Sequence, residues 1–168
     1  MEKQISYTSD GIRIEGLLHQ DSKKGVVVTH PHPLYGGDMY NPVVESIARA
    51  FQNNGFSTLR FNFRGVGKSQ GSHDQGAGER RDVLNALAFL AKQGIQAISL
   101  AGYSFGAWVN ANLSQQEISV VEMIMVSPPV AFMDFSSIKH PPALTLVVCG
   151  GRDDIGPVGD VKKLLADW

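Results

Sequence analysis

Hydrophobic positions along this chain fall into two rhythms. Short unbroken apolar runs alternate with stretches whose apolar residues stand three and four apart. The first pair of segments, residues 4–7 and 12–18, flanks the tetrapeptide TSDG, and the Asp10-Gly11 pair predicts a hairpin turn. GVVVTH, 25–30, is β-branched and continuous, the mark of a strand buried on both faces. Asn41-Pro42 opens a helix carried by Val43, Val44, Ile47, Ala48 and Phe51 and stopped at Gly55. STLRFNF, 57–63, reads as a strand, and a glycine-rich loop runs from Arg64 to Gly78. Val83, Leu84, Leu87, Leu90 and Ala91 mark the next helix, ended by Gly94. A strand over AISLAGY (97–103), a helix over 105–115 and a strand over 120–126 follow. A proline-rich loop over 127–141, a strand over ALTLVVCG (143–150) and a helix over 157–167 complete the pattern.

A hairpin followed by strands and helices in alternation implies an α/β fold, a mostly parallel sheet with helices on both faces and right-handed crossovers. Ligands of such sheets sit at the carboxyl ends of the strands. The loops at 30–40, 64–78, 102–106, 127–134 and 149–157 are therefore expected on one edge.

Composition narrows the reading. The 168 residues suit one domain, with 43% hydrophobic and 18% charged residues as in globular proteins. The net charge of −1, with no basic block, argues against nucleic-acid partners. One cysteine, Cys149, excludes an internal disulfide, and it reads as a buried strand residue. The polar N-terminus carries no secretory signal, and no apolar run is long enough for a membrane span, so a cytoplasmic protein is expected.

The candidate chemistry lies at Gly102-Tyr103-Ser104-Phe105-Gly106, a G-x-S-x-G pattern between a predicted strand and a predicted helix. A sharp turn there lifts the Ser104 hydroxyl clear of the sheet, and side chains at 102 and 106 would collide with the strand–helix crossing. The Phe105 N–H, at the helix start, is placed to stabilise an oxyanion. The bland alternative is a Gly-Ser turn capping an ordinary helix.

With that motif, and with HPHPLYGGDMYNPVV (30–44), LRFNFRGVGKSQGSHDQGAGERRD (59–82) and CGGRDDIGP (149–157), the chain resembles the α/β-hydrolase superfamily. Within it, the small bacterial members without a lid domain are most similar. The resemblance implies a serine hydrolase acting on a small carboxylic ester through an acyl-enzyme, with no cofactor. It implies that the loop after the third strand supplies the second oxyanion N–H. His32 is the candidate, since Pro31 and Pro33 have no N–H, and Leu34 is the reserve. His30 is expected to be a structural imidazole bonded to that loop. The family's acid pattern points to Asp153 in preference to Asp154, which could cap the last helix.

The family order then requires a histidine after the acid, and none follows Asp153. The five histidines stand at 19, 30, 32, 73 and 140. The expectation is one α/β-hydrolase domain over 1–168, incomplete at its C-terminus and lacking the last strand and helix. A polypeptide without that histidine is then inactive by itself. Two alternatives remain: His30 or His32 as a substitute base, and a non-catalytic ligand-binding or scaffold domain of the same fold. A shortened sheet would expose a strand edge, so self-association is also expected.

Rival motifs carry less. Gly67-Lys68-Ser69 ends like a phosphate-binding loop, but position 62 is Asn where a glycine is needed. Arg64 and Lys68 are expected in solvent or paired with Asp74 or Glu79. His30-x-His32 could hold a metal, though no third ligand has the spacing. Tyr35, Tyr40, Phe105 and Trp108 could line an acyl pocket or belong to the core.

Overall fold

A computed structural model describes residues 1–113 and 119–168. The strands are β1 (Lys3–Ser9), β2 (Ile12–His19), β3 (Lys24–Thr29), β4 (Ser57–Phe61), β5 (Ala97–Tyr103), β6 (Glu122–Val126) and β7 (Leu144–Val148). The helices are α1 (Pro42–Asn53), α2 (Ala77–Lys92), α3 (Phe105–Ala111) and α4 (Val158–Ala166). The strands form one sheet in the order β1-β2-β4-β3-β5-β6-β7. β1 and β2 form the antiparallel hairpin turned at Asp10-Gly11, both with positive φ, and β2 also runs antiparallel to β4. The remaining pairings are parallel. Among the described residues, no helix is long and apolar enough to cross a membrane.

The β-branched run at 25–30 is buried on both faces. Val27 joins Val83, Leu90 and Leu100 on the side of α2 and α3, while Val26 and Val28 meet Val44 and Ala48 of α1 on the other. From β3 the chain goes through α1 to β4 on one side, then through α2 to β5 on the other. The strand order thus reverses between β3 and β5, the place where a crevice opens in open α/β sheets. The loop carrying His32 leaves β3 there, and Ser104 directly follows β5.

Several boundaries differ from expectation for visible reasons. β4 stops at Phe61 because its ladder with β2 is then interrupted: Asn62 N–H still donates to Glu15 O at 3.1 Å, but Glu15 N–H goes to Ser69 Oγ at 3.0 Å and Phe63 N–H to His30 Nε2 at 3.0 Å. α3 ends at Ala111, and positions 114 and 115 of the expected helix lie outside the described residues. Cys149 is half-buried one residue beyond β7 rather than buried within it. Arg64 pairs with neither Asp74 nor Glu79. Its guanidinium reaches the buried Asp82 at 2.9 Å and Asp10 at 3.2 Å, tying the glycine-rich loop to α2 and the hairpin turn. Lys68 is exposed, as expected.

Candidate active site

Ser104 occupies φ 52°, ψ −119°, a conformation that a non-glycine residue adopts only under constraint. The constraint is visible on both sides. Ser104 N–H donates to Val126 O on β6 at 2.9 Å, and Ser104 O accepts from Ala107 N–H at 2.9 Å as α3 begins. A Cβ at Gly102 would stand 2.6 Å from Ala107 N, and one at Gly106 2.6 Å from Thr29 Oγ1 and 2.8 Å from His30 O. Both positions exclude a side chain because α3 crosses β5 and the end of β3 at backbone contact.

The same turn leaves donors unspent. Ser104 N–H is used by Val126, whereas Phe105 N–H opens α3 and has no carbonyl one turn behind it to accept it. His32 N–H likewise has no protein acceptor among the described residues. Its loop is nonetheless fixed: His32 O accepts from Tyr35 N–H at 3.1 Å and Gly37 N–H at 3.0 Å, and His32 Nδ1 accepts from Leu34 N–H at 3.2 Å, starting a 3-10 turn at Pro33–Tyr35. That last bond leaves Leu34 N–H, the reserve oxyanion donor, already committed.

A cleft of about 450 Å³ holds these groups together. His32, Ser104 and Phe105 line it, with Tyr35 from the same loop as His32. Pro129, Phe132 and Met133 come from the loop after β6, and Ile155 from the loop after β7. Four of the five loops expected on one edge thus supply its walls. The fifth, the glycine-rich loop, packs behind: the His73 ring lies 4.9 Å from His32 and 5.6 Å from Phe105, which are themselves 4.6 Å apart.

Asp153 does not line the cleft, though Ile155 two residues on does. Its Oδ1 accepts from Ile155 N–H and Gly156 N–H, each at 2.9 Å. Partial burial raises its pKa, but the hydrogen bonds from Gly156, Ser127 and Ile155 outweigh that and hold the carboxyl below its ordinary value. Asp154 is exposed, and α4 has Pro157 at its N-cap with no side-chain cap bond, so the capping expected of Asp154 is absent and the turn is closed by Asp153.

The histidines separate by environment. His30 is fully buried against Phe63, with Nδ1 2.7 Å from Pro31 O and Nε2 accepting Phe63 N–H. Desolvation pulls its pKa from 6.5 to about 4, so it is neutral and structural. His32 is also held below its ordinary value, first by burial and then by the neighbouring His73. A lone pair at Nδ1 puts its proton on Nε2. His73 Nδ1 lies 2.9 Å from Oε1 of Glu79, which has no solvent exposure and also accepts the Asp74 and Gly76 N–H groups at 3.0 and 2.8 Å. Among the described residues, no imidazole bonds Ser104, and no group of three metal-ligating side chains occurs.

Of the aromatic candidates, Tyr35 and Phe105 line the cleft. Tyr40 stacks near Arg60, and Trp108 packs against the core with its indole N–H on Asp134 O at 2.7 Å. Sequence reasoning missed Phe132, Met133 and Ile155 as cleft walls. It also missed Glu79 as the anchor of the loop before α2, although a glutamate three residues into a helix is a capping signal.

The family model described as alpha/beta hydrolase fold matches residues 32–143. An uncharacterized protein of Rickettsia prowazekii (strain Madrid E) is 37% identical over 170 residues, covering 96% of this chain and 71% of its own length. An alpha-beta serine hydrolase homologue from Coxiella burnetii superposes with a TM-score of 0.88 at 34% identity, covering 98% of this chain and 81% of that one. A lidless serine hydrolase from Xanthomonas campestris gives a TM-score of 0.91 at 30% identity, covering 99% and 79%.

Proposed function

The chain belongs to the α/β-hydrolase-fold family, and from that premise we propose that it is a serine hydrolase domain whose Ser104 attacks carboxylic esters. The observation that carries the proposal is the strained Ser104 backbone beside two uncommitted amides, Phe105 N–H and His32 N–H. In the proposed reaction Ser104 Oγ bonds to the ester carbon while the carbonyl electron pair moves onto oxygen. The two amides hold that oxyanion, worth several kcal/mol in such sites. Collapse expels the alcohol and leaves an acyl-Ser104, which water hydrolyses.

The proton of Ser104 needs an acceptor, and among the described residues no imidazole bonds that hydroxyl. His30 is spent on Pro31 and Phe63, His32 Nδ1 on Leu34 and His73 on Glu79. Asp153, kept ionised by its turn, is proposed as the group that orients a base. In this reading Ser104 is the nucleophile, Phe105 and His32 give the oxyanion donors and Asp153 the acid, and the test below supplies a base from solution.

An alkyl fluorophosphonate tests this directly. Oγ–P bond formation releases fluoride, and external imidazole takes the hydroxyl proton. Peptide mapping by mass should place the adduct on Ser104, formed faster with imidazole and absent in Ser104→Ala. No adduct at Ser104 with imidazole present would overturn the proposal. It would favour the second reading, a ligand-binding domain, which the lack of an imidazole bonded to Ser104 among the described residues supports.

A further inference from the structure

Resting on that reading of Ser104, we propose that the cleft selects an uncharged ester whose acyl part is an apolar chain long enough to run out over Tyr35 and Phe132. Three observations converge. First, among the described residues no carboxylate, ammonium or guanidinium lines the cleft, and the polar side-chain groups on it are the His32 imidazole and the Ser104 and Tyr35 hydroxyls. Burial and then the neighbouring His73 hold the His32 pKa below its ordinary value, and Asp153 is turned onto its own loop. A charge on the acyl chain would lose water and meet no partner.

Second, the volume of about 450 Å³ suits a small-molecule ligand, and its remaining walls are aromatic, proline, methionine or isoleucine side chains. Third, the rim spends large apolar side chains on solvent. Tyr35 is 87% exposed, Phe132 73% and Ile155 48%, although they come from three different loops and line one cleft. Soluble proteins concentrate such exposure where something binds. The walls reach the Ser104 turn through Phe105, so a chain whose carbonyl sits at Ser104 continues along apolar surface to the rim.

Each methylene buried multiplies affinity roughly fourfold, so chain length is the sensitive variable. The experiment uses Ser104→Ala, which turns nothing over, and measures binding of methyl octanoate, methyl butanoate and monomethyl suberate by calorimetry or ligand-observed NMR. Methyl octanoate should bind at least tenfold tighter than methyl butanoate. Monomethyl suberate, of equal chain length with a terminal carboxylate, should lose that gain. Tyr35→Ser combined with Phe132→Ser, both at exposed positions, should bring the ratio of methyl octanoate to methyl butanoate affinity close to one.

Equal binding of the three esters, or no binding of any, would overturn the proposal. So would concentration-dependent self-association of the ligand-free protein abolished by Phe132→Ser, which would assign the rim to a second copy. Binding to Ser104→Ala needs neither nucleophile nor base, so the failure of this proposal and a failure to label Ser104 are separate results.

Discussion

His73 Nδ1 stands 2.9 Å from Oε1 of Glu79, a carboxylate with no solvent exposure that also accepts two backbone N–H groups from the loop before α2. The His73 ring in turn contacts the rings of His32 and Phe105, the two proposed oxyanion residues. One buried side chain thus fixes the loop packed behind the cleft. Glu79→Ala leaves those donors unsatisfied and should cost about 3 kcal/mol. Urea unfolding measures this, with the exposed Asp154→Ala as a control expected within about 0.5 kcal/mol of the parent.

Gly106 separates shape from chemistry. A methyl group there would press on Thr29 and on the His30 carbonyl at 2.6–2.8 Å, so Gly106→Ala should destabilise by about 3 kcal/mol and displace the His30–His32 loop. Gly159→Ala, in α4 with nothing within 4 Å of the added carbon, should be neutral or stabilising by about 0.5–1 kcal/mol. Thermal unfolding of the pair reads the contrast.

His30 makes stability depend on pH. Its folded pKa of about 4 lies below the unfolded 6.5, so the unfolded chain binds the extra proton between those values. Its contribution is complete above about pH 6.5 and is lost as pH falls toward 4, amounting to about 3 kcal/mol across the window. His30→Gln should be less stable at pH 7 but should show a flatter decline in unfolding free energy over that range. An unchanged slope would contradict the assignment.

The outer edge of β7 pairs with no strand among the described residues, and Leu146 and Val148 on it are about half exposed, at 50% and 46%. An uncharged edge without proline invites strand addition. Sedimentation should show concentration-dependent association that Leu146→Lys suppresses. A monomer at all concentrations would reject this.

Much of the architecture was legible because it rests on local signals. Asp10-Gly11 dictates the hairpin, the valines at 26–28 dictate a strand covered on both faces, and Asn41-Pro42 fixes the start of α1. The strained turn at Ser104 was legible because two glycines around one residue between strand and helix have a steric meaning that does not depend on distant residues. The partner of Arg64 was not legible. Asp82 lies eighteen positions away and became its mate only because the glycine-rich loop folds back over α2. The cleft walls at Phe132 and Met133, on the proline-rich loop, and at Ile155, on the loop after β7, were equally hidden, since neither loop has a period to read. The role of Asp153 in its own turn depends on backbone N–H directions that sequence spacing does not carry.

Ser104 is proposed to face an oxyanion site built from Phe105 and His32, and a crystal structure of the protein carrying an alkyl phosphonate on Ser104 decides it. A phosphoryl oxygen should lie about 2.7–3.1 Å from both amide nitrogens, with the alkyl chain lying toward Phe132. A phosphoryl oxygen turned to solvent and bonded to neither amide would contradict it.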